Sequence, residues 1–214
     1  MIEKNLLTID SDFTNHYSSL LDVQKGIIDT LKNYPFDLSK TEITDAIIAR
    51  MDAFWGFHIN NSKVLLDRQT NVVAADFFTE TCLLFIKLYF NGRYKVKSEV
   101  NINTGNKNSI KPDITIWKED KLVAVIEIKV NNGYKGKNIM EHLIEREKQI
   151  IDLYPNTYFS VIAFWNFFDI DADGWIKKYI GLKWWDEKNG HPKTDATVEL
   201  LLQSIEEYLR NKQS

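Results

Sequence analysis

The sequence predicts an α/β protein: a helix, three strands, a helix and a further strand, with helices added before and after. Three observations carry that prediction. From Leu122 to Val130 the chain is apolar on both alternating faces, the pattern of a strand covered on two sides. Runs of helical periodicity bracket it, Val72 to Phe90 before and Ile139 to Leu153 after. Tyr158 to Trp165, YFSVIAFW, then reads as another buried strand that extends the sheet.

The elements follow in order. Phe13, Tyr17, Leu20, Leu21, Ile27, Ile28 and Leu31 keep helical spacing until Pro35 stops the run. Ile43, Ile47, Met51 and Phe54 repeat it beyond a start at Ser39 or Thr41, and the two helices are expected to bundle against the core. Asn60 to Asn71 is a polar connection and the best candidate for a joint. Val72 to Phe90 is the most apolar stretch, but Asp76, Glu80 and Lys87 interrupt it, so it reads as a core helix and no membrane span is expected. Asn91-Gly92 leads into a strand over Tyr94 to Ile102, and the polar turn Asn103 to Ser109 leads out. A second strand covers Ile110 to Trp117, entered at Pro112 where a missing N–H does little harm. Lys118 to Lys121 reverses the chain into the strand Leu122 to Val130. Thr194 to Leu209 closes the chain with an amphipathic stripe that either packing or self-association as a homodimer would use.

Composition narrows the class. At 214 residues, 44% hydrophobic and 27% charged, the chain suits one globular domain: a helical part over residues 1–70, a core over about 72–165, and an aromatic-rich segment with the last helix over 166–214. A lone cysteine, Cys82, excludes a disulfide framework and a multi-cysteine zinc site, which suggests a reducing, cytoplasmic setting. No basic region followed by an apolar core opens the chain, so a signal peptide is not expected. His16, His58, His142 and His191 are scattered without ligand spacing, which argues against a zinc hydrolase. The run DIDADG echoes a calcium loop but lacks the closing glutamate. The net charge of −3 hides an uneven distribution: residues 87–148 carry 13 Lys or Arg against 8 Asp or Glu, whereas both flanks are acidic. A basic middle is the footprint expected of phosphate binding.

The chemistry concentrates in Lys111 to Val130, KPDITIWKEDKLVAVIEIKV. Charge inside a doubly covered strand costs several kcal/mol, roughly, unless a partner or a metal compensates it. Period two puts Glu127 and Lys129 on one face. If the hairpin loop is the three residues Glu119 to Lys121, Lys118 faces Leu122 and Asp113 falls opposite Glu127. A two-residue turn register would instead send Asp113 to the other face. Two opposed carboxylates need a cation between them, and hard oxygen ligands suit Mg²⁺, with Mn²⁺ as a substitute. After this strand, Asn131 to Lys137 holds two glycines with Lys135 and Lys137, a natural phosphate cradle or an ordinary connection. Trp184-Trp185 could stack bases or fill an interface.

Pro112-Asp113 and Glu127-Ile128-Lys129, with the element order from about Val72 to Trp165, resemble the PD-(D/E)xK nuclease superfamily. The resemblance implies a restriction-endonuclease-like αβββαβ core with a mixed central sheet flanked by helices. It also implies a metal-dependent endonuclease of restriction or repair and resolution type, acting on DNA. On that likeness Asp113, Glu127 and the Ile128 carbonyl hold Mg²⁺, Lys129 orients the attacking water, and Glu80 of the preceding helix supplies a further acid. Asp76 and Glu99 compete for that last role. Some relatives place a glutamine or a basic residue on the helix after the motif, a position open here to Arg146 or Gln149. The alternative reading is a catalytically silent nucleic-acid- or protein-binding module that keeps a salt-bridged Asp-Glu-Lys cluster on the same fold.

Overall fold

The computed structural model describes residues 6–59, 61, 64–65, 67, 74–103, 109–131, 139–168 and 177–212. Its residues group into two compact units, 1–36 and 37–214. The first is a single helix, α1 (Leu6–Leu31), closed by a turn in which Tyr34 and Phe36 pack edge to face with centroids 5.0 Å apart. Proline at position 35 has no N–H to continue the helix.

In the second unit α2 (Glu42–Ala53) runs on into a π-helical turn, Phe54–Ile59. Then come α3 (Ala74–Tyr89), β1 (Lys95–Ser98), β2 (Ile114–Lys118), β3 (Lys121–Lys129), α4 (Ile139–Leu153), β4 (Tyr158–Trp165), β5 (Tyr179–Lys183) and α5 (Val198–Asn211). The strands form one open sheet in the order β1-β2-β3-β4-β5. The first two pairings are antiparallel and the last two parallel, so the sheet is mixed. The protein is therefore α/β, with a five-stranded mixed sheet and five α-helices among the described residues. None of those helices is long and apolar enough to cross a membrane.

β3 is covered on both faces, as its apolar pattern requires. On one side Val125, Phe159, Val161 and Tyr179 pack with Ile139, Leu143 and Ile150 of α4 in a single apolar cluster. On the other, Phe78 of α3 meets Phe164 of β4 edge-on at 5.6 Å between centroids. That second face is tied together by Glu199, which is 1% exposed in the first turn of α5. Its carboxylate accepts the N–H groups of Ile43 (2.6 Å) and Thr44 (3.1 Å) and the Thr44 hydroxyl (2.5 Å). An anion thus meets the N-terminus of α2, where orphan amides and the helix dipole favour it.

β2 starts at Ile114 and not within Ile110–Pro112, and four further features differ from the sequence expectation, each for a local reason. β1 stops at Ser98 and not at Ile102, because Glu99 takes a left-handed φ of 52° and turns its N–H toward the carbonyls of Pro112 and Asp113. α5 starts at Val198 and not near Thr194, because Thr197 is its N-cap and accepts the Leu200 N–H at 3.2 Å. β5 is not expected from the sequence: Tyr179 and Ile180 favour a strand, but Gly181 interrupts a run of only five residues, and parallel pairing with β4 decides their conformation. Gly181 is obligatory there, since a Cβ would lie 2.5 Å from the Asn166 Cα. Lastly, the β2–β3 turn is two residues long, with Lys118 opposite Lys121, and not three.

That turn would put Asp113 on the wrong face if the register ran on unbroken. It does not. Trp117 faces Leu122 while Ile116 faces Ala124, so Val123 is an extra residue, a β-bulge. Beyond it Thr115 faces Val125 and Ile114 faces Ile126, which carries Asp113 to the level of Glu127.

Candidate active site

Three charged side chains converge at the carboxyl end of β3. Lys129 Nζ lies 3.1 Å from Asp113 Oδ2, 3.1 Å from Glu127 Oε2 and 3.0 Å from the Ile128 carbonyl oxygen. The three oxygens that the family resemblance would give to a cation thus point at one position, and an ammonium fills it. Asp113 is held by the Ile128 N–H, which donates to Oδ2 at 2.7 Å. The Ser98 hydroxyl donates to the Asp113 carbonyl at 2.8 Å, tying the residue to β1. Arg146 of α4 donates from Nε to Glu127 Oε1 at 3.3 Å.

The cluster is sheltered without being sealed. The Glu127 side chain is 8% exposed, whereas Asp113 and Lys129 keep 27% and 25%. A carboxylate as enclosed as Glu127 would be costly alone, and its two cationic partners offset that cost. Burial is the largest influence on Lys129 and disfavours its charge, but Glu127 and then Asp113 outweigh it and hold its pKa above the ordinary lysine value. The ammonium is therefore a fixed charge at neutral pH.

Of the residues singled out in the sequence, Asp113, Glu127, Ile128 and Lys129 come together, and Arg146 joins them as the partner of Glu127. Gln149 is exposed and donates to Glu145 on its own helix. Glu80 and Asp76 are exposed on α3, which packs through Phe78 against the sheet face opposite α4. No described contact links either acid to the cluster. Glu99 is exposed too, and only its backbone N–H approaches Asp113. Among the described residues no group of three or more His, Cys, Asp or Glu is gathered as a metal set. Lys135 and Lys137 lie outside the described residues. Arg146 reaches Glu127 because α4 packs on the sheet face that carries Glu127, the face on which Val125 meets Leu143 and Ile150.

A divalent cation suits this donor set. Two carboxylates and a carbonyl, with water and substrate oxygens completing the shell, is the ligand mixture Mg²⁺ accepts. Those oxygens already surround one positive charge. No protein-family model, curated protein or solved structure matches this chain.

Proposed function

We propose that the protein is a Mg²⁺-dependent nuclease that hydrolyses phosphodiester bonds in DNA, with Mn²⁺ as a substitute ion. The observation that supports it best is the convergence of Asp113, Glu127 and the Ile128 carbonyl on one cationic position. A cytoplasmic setting and a restriction-endonuclease-like core belong to the same proposal.

Asp113 and Glu127, with the Ile128 carbonyl, would hold the cation. When bound, Mg²⁺ polarises a phosphate and makes a nearby water more acidic. The Ile128 N–H fixes the Asp113 carboxylate, and Arg146 fixes that of Glu127, so neither must reorganise when substrate arrives. Lys129, freed from the oxygens that the cation takes over, would orient the attacking water and offset the negative charge that grows on the phosphate. A preorganised cation in that role is typically worth about 3 kcal/mol.

One observation favours the silent module instead. Asp113, Glu127, Lys129 and Arg146 balance two negative against two positive charges, so the cluster is electrically complete by itself. Plasmid and single-stranded DNA incubated with Mg²⁺, Mn²⁺ or EDTA separate the two readings. Cleavage that needs metal and is lost in Asp113→Ala and Lys129→Ala supports the nuclease. DNA binding without cleavage under any metal condition supports the module and rejects the nuclease.

A further inference from the structure

Two residues beyond Lys129, the end of β3 opens into a second feature that the hydrolytic cluster does not use. Trp165, at the end of β4, donates its backbone N–H to the Val130 carbonyl at 2.9 Å, which joins the two strand ends. Around that junction Trp55, Trp165, Trp185, His191 and Lys183 line a cleft of about 450 Å³. A smaller lobe of about 350 Å³ adjoins it, sharing Asn131, Trp165 and Trp185 and adding Asn166 and Phe167. These volumes fall in the range of small-ligand sites, and the carboxyl ends of parallel strands are where open α/β sheets hold their ligands.

The walls are flat rings. Trp185 meets Trp165 edge-on at 4.8 Å and lies tilted against His191 at 4.9 Å, and Trp55 lies 5.9 Å from Trp165. Trp185 is nonetheless 61% exposed, which leaves much of a large apolar ring in water. Polar groups sit at the edges. Lys183, 9% exposed, donates to both oxygens of Asp52 at 3.1 and 3.2 Å. Asn166 Oδ1 accepts the Phe168 N–H at 3.2 Å, which fixes the amide, while its Nδ2 is buried with no partner among the described residues. A buried donor left unpaired is expensive, and a ligand acceptor would satisfy it.

We infer that this cleft receives an unstacked nucleobase of the strand whose phosphate lies at Lys129. The inference rests on the nuclease reading and names how that site grips its substrate. A planar heterocycle needs ring faces to stack on and hydrogen-bonding groups at its rim, which are what the cleft presents. Asn131 follows Lys129 by two residues, with the chain bending at Val130 and Asn131, so their Cα atoms are at most about 7 Å apart, a spacing within reach of a single nucleotide.

The test uses the full chain. Wild-type protein is first given Mg²⁺ and an oligonucleotide to establish cleavage and map the cut. The cleavage-silent Lys129→Ala protein is then titrated with the same strand, intact or carrying one abasic residue at positions flanking the cut, with and without Trp185→Ala. Trp185 is mostly in solvent, so its loss leaves folding intact. Trp185→Ala is expected to weaken the intact strand by about 10-fold. It should leave unchanged the binding of the strand whose abasic residue sits at the accommodated position. Quenching of tryptophan fluorescence by the intact strand should be smaller in Trp185→Ala, since Trp55 and Trp165 remain in the cleft. Equal affinity of both proteins for the intact strand, or equal loss on intact and every abasic strand, overturns the base site while cleavage by the wild type stands. Absence of wild-type cleavage overturns the nuclease reading, and the base site with it.

Discussion

Replacing Lys129 by methionine keeps most of the apolar stem and removes the charge, so it isolates what the ammonium does between the carboxylates. Asp113 Oδ2 and Glu127 Oε2 each lie 3.1 Å from Nζ, so the two oxygens are at most twice that far apart. Two negative charges at about 6 Å repel by about 3 kcal/mol at an effective dielectric of about 20. Arg146 still faces Glu127, and Asp113 is about a quarter exposed, so the expected loss of stability is smaller, about 2 kcal/mol. For a chain of this size that lowers the melting temperature by about 4–8 °C. The decisive comparison is thermal unfolding in EDTA against millimolar Mg²⁺. If the carboxylates form a cation site, Mg²⁺ restores most of the loss in Lys129→Met and stabilises the wild type less, because in the wild type the ion must displace the ammonium. A destabilised variant that Mg²⁺ does not rescue would refute the cation site. A variant as stable as wild type would refute the claim that Lys129 relieves the carboxylate pair.

Further outcomes follow from the same geometry. The pKa of Lys129 is raised in the folded state, so its contribution is complete below the unfolded value of about 10.4 and is lost as pH rises through the folded value. The stability difference between wild type and Lys129→Met should hence stay level through neutral pH and shrink only in alkali; shrinkage near pH 8 contradicts it. Arg146→Ala frees one oxygen of Glu127 and should cut metal-dependent cleavage by about 10–100-fold, with partial recovery in Arg146→Lys, and an unchanged rate removes Arg146 from the site. Glu199→Ala strands two amides and a hydroxyl at the start of α2, and should cost about 3 kcal/mol, or about 6–12 °C in melting temperature, without altering cleavage per folded molecule. A melting temperature within about 2 °C of wild type would show that water satisfies those groups instead.

Periodicity made the long elements legible. α4 and β4 fall where the sequence places them, residue for residue, because each has an unbroken apolar pattern with a turn signal at both ends. Charge inside a buried strand exposed Glu127 and Lys129 in the same way, since few arrangements relieve that cost. The left-handed turn at Glu99 was hidden, because a non-glycine residue gives no local sign of positive φ. β5 was hidden because its conformation comes from its neighbour. The aromatic cleft was hidden for a third reason. Trp55, Trp165, Trp185 and His191 come from separated segments, and only the parallel crossovers bring them to one sheet end.

The hairpin shows how the expected juxtaposition of Asp113 and Glu127 is reached through a turn other than the expected one. Two-residue turns suit the twist of an antiparallel pair, and Glu119 supplies the positive φ, 54°, that such a turn uses. A site with Asp113 opposite Glu127 needs a register one residue different from the one this turn sets. Turn and site therefore conflict, and Val123 resolves the conflict by standing unpaired between them. An unpaired residue in the middle of a hairpin weakens the ladder and contributes nothing to the core that a regular pair would not. Its presence is explained if the opposition of the two carboxylates matters more than an unbroken ladder. That places the constraint on this hairpin at the Asp113 end, with the turn accommodating it.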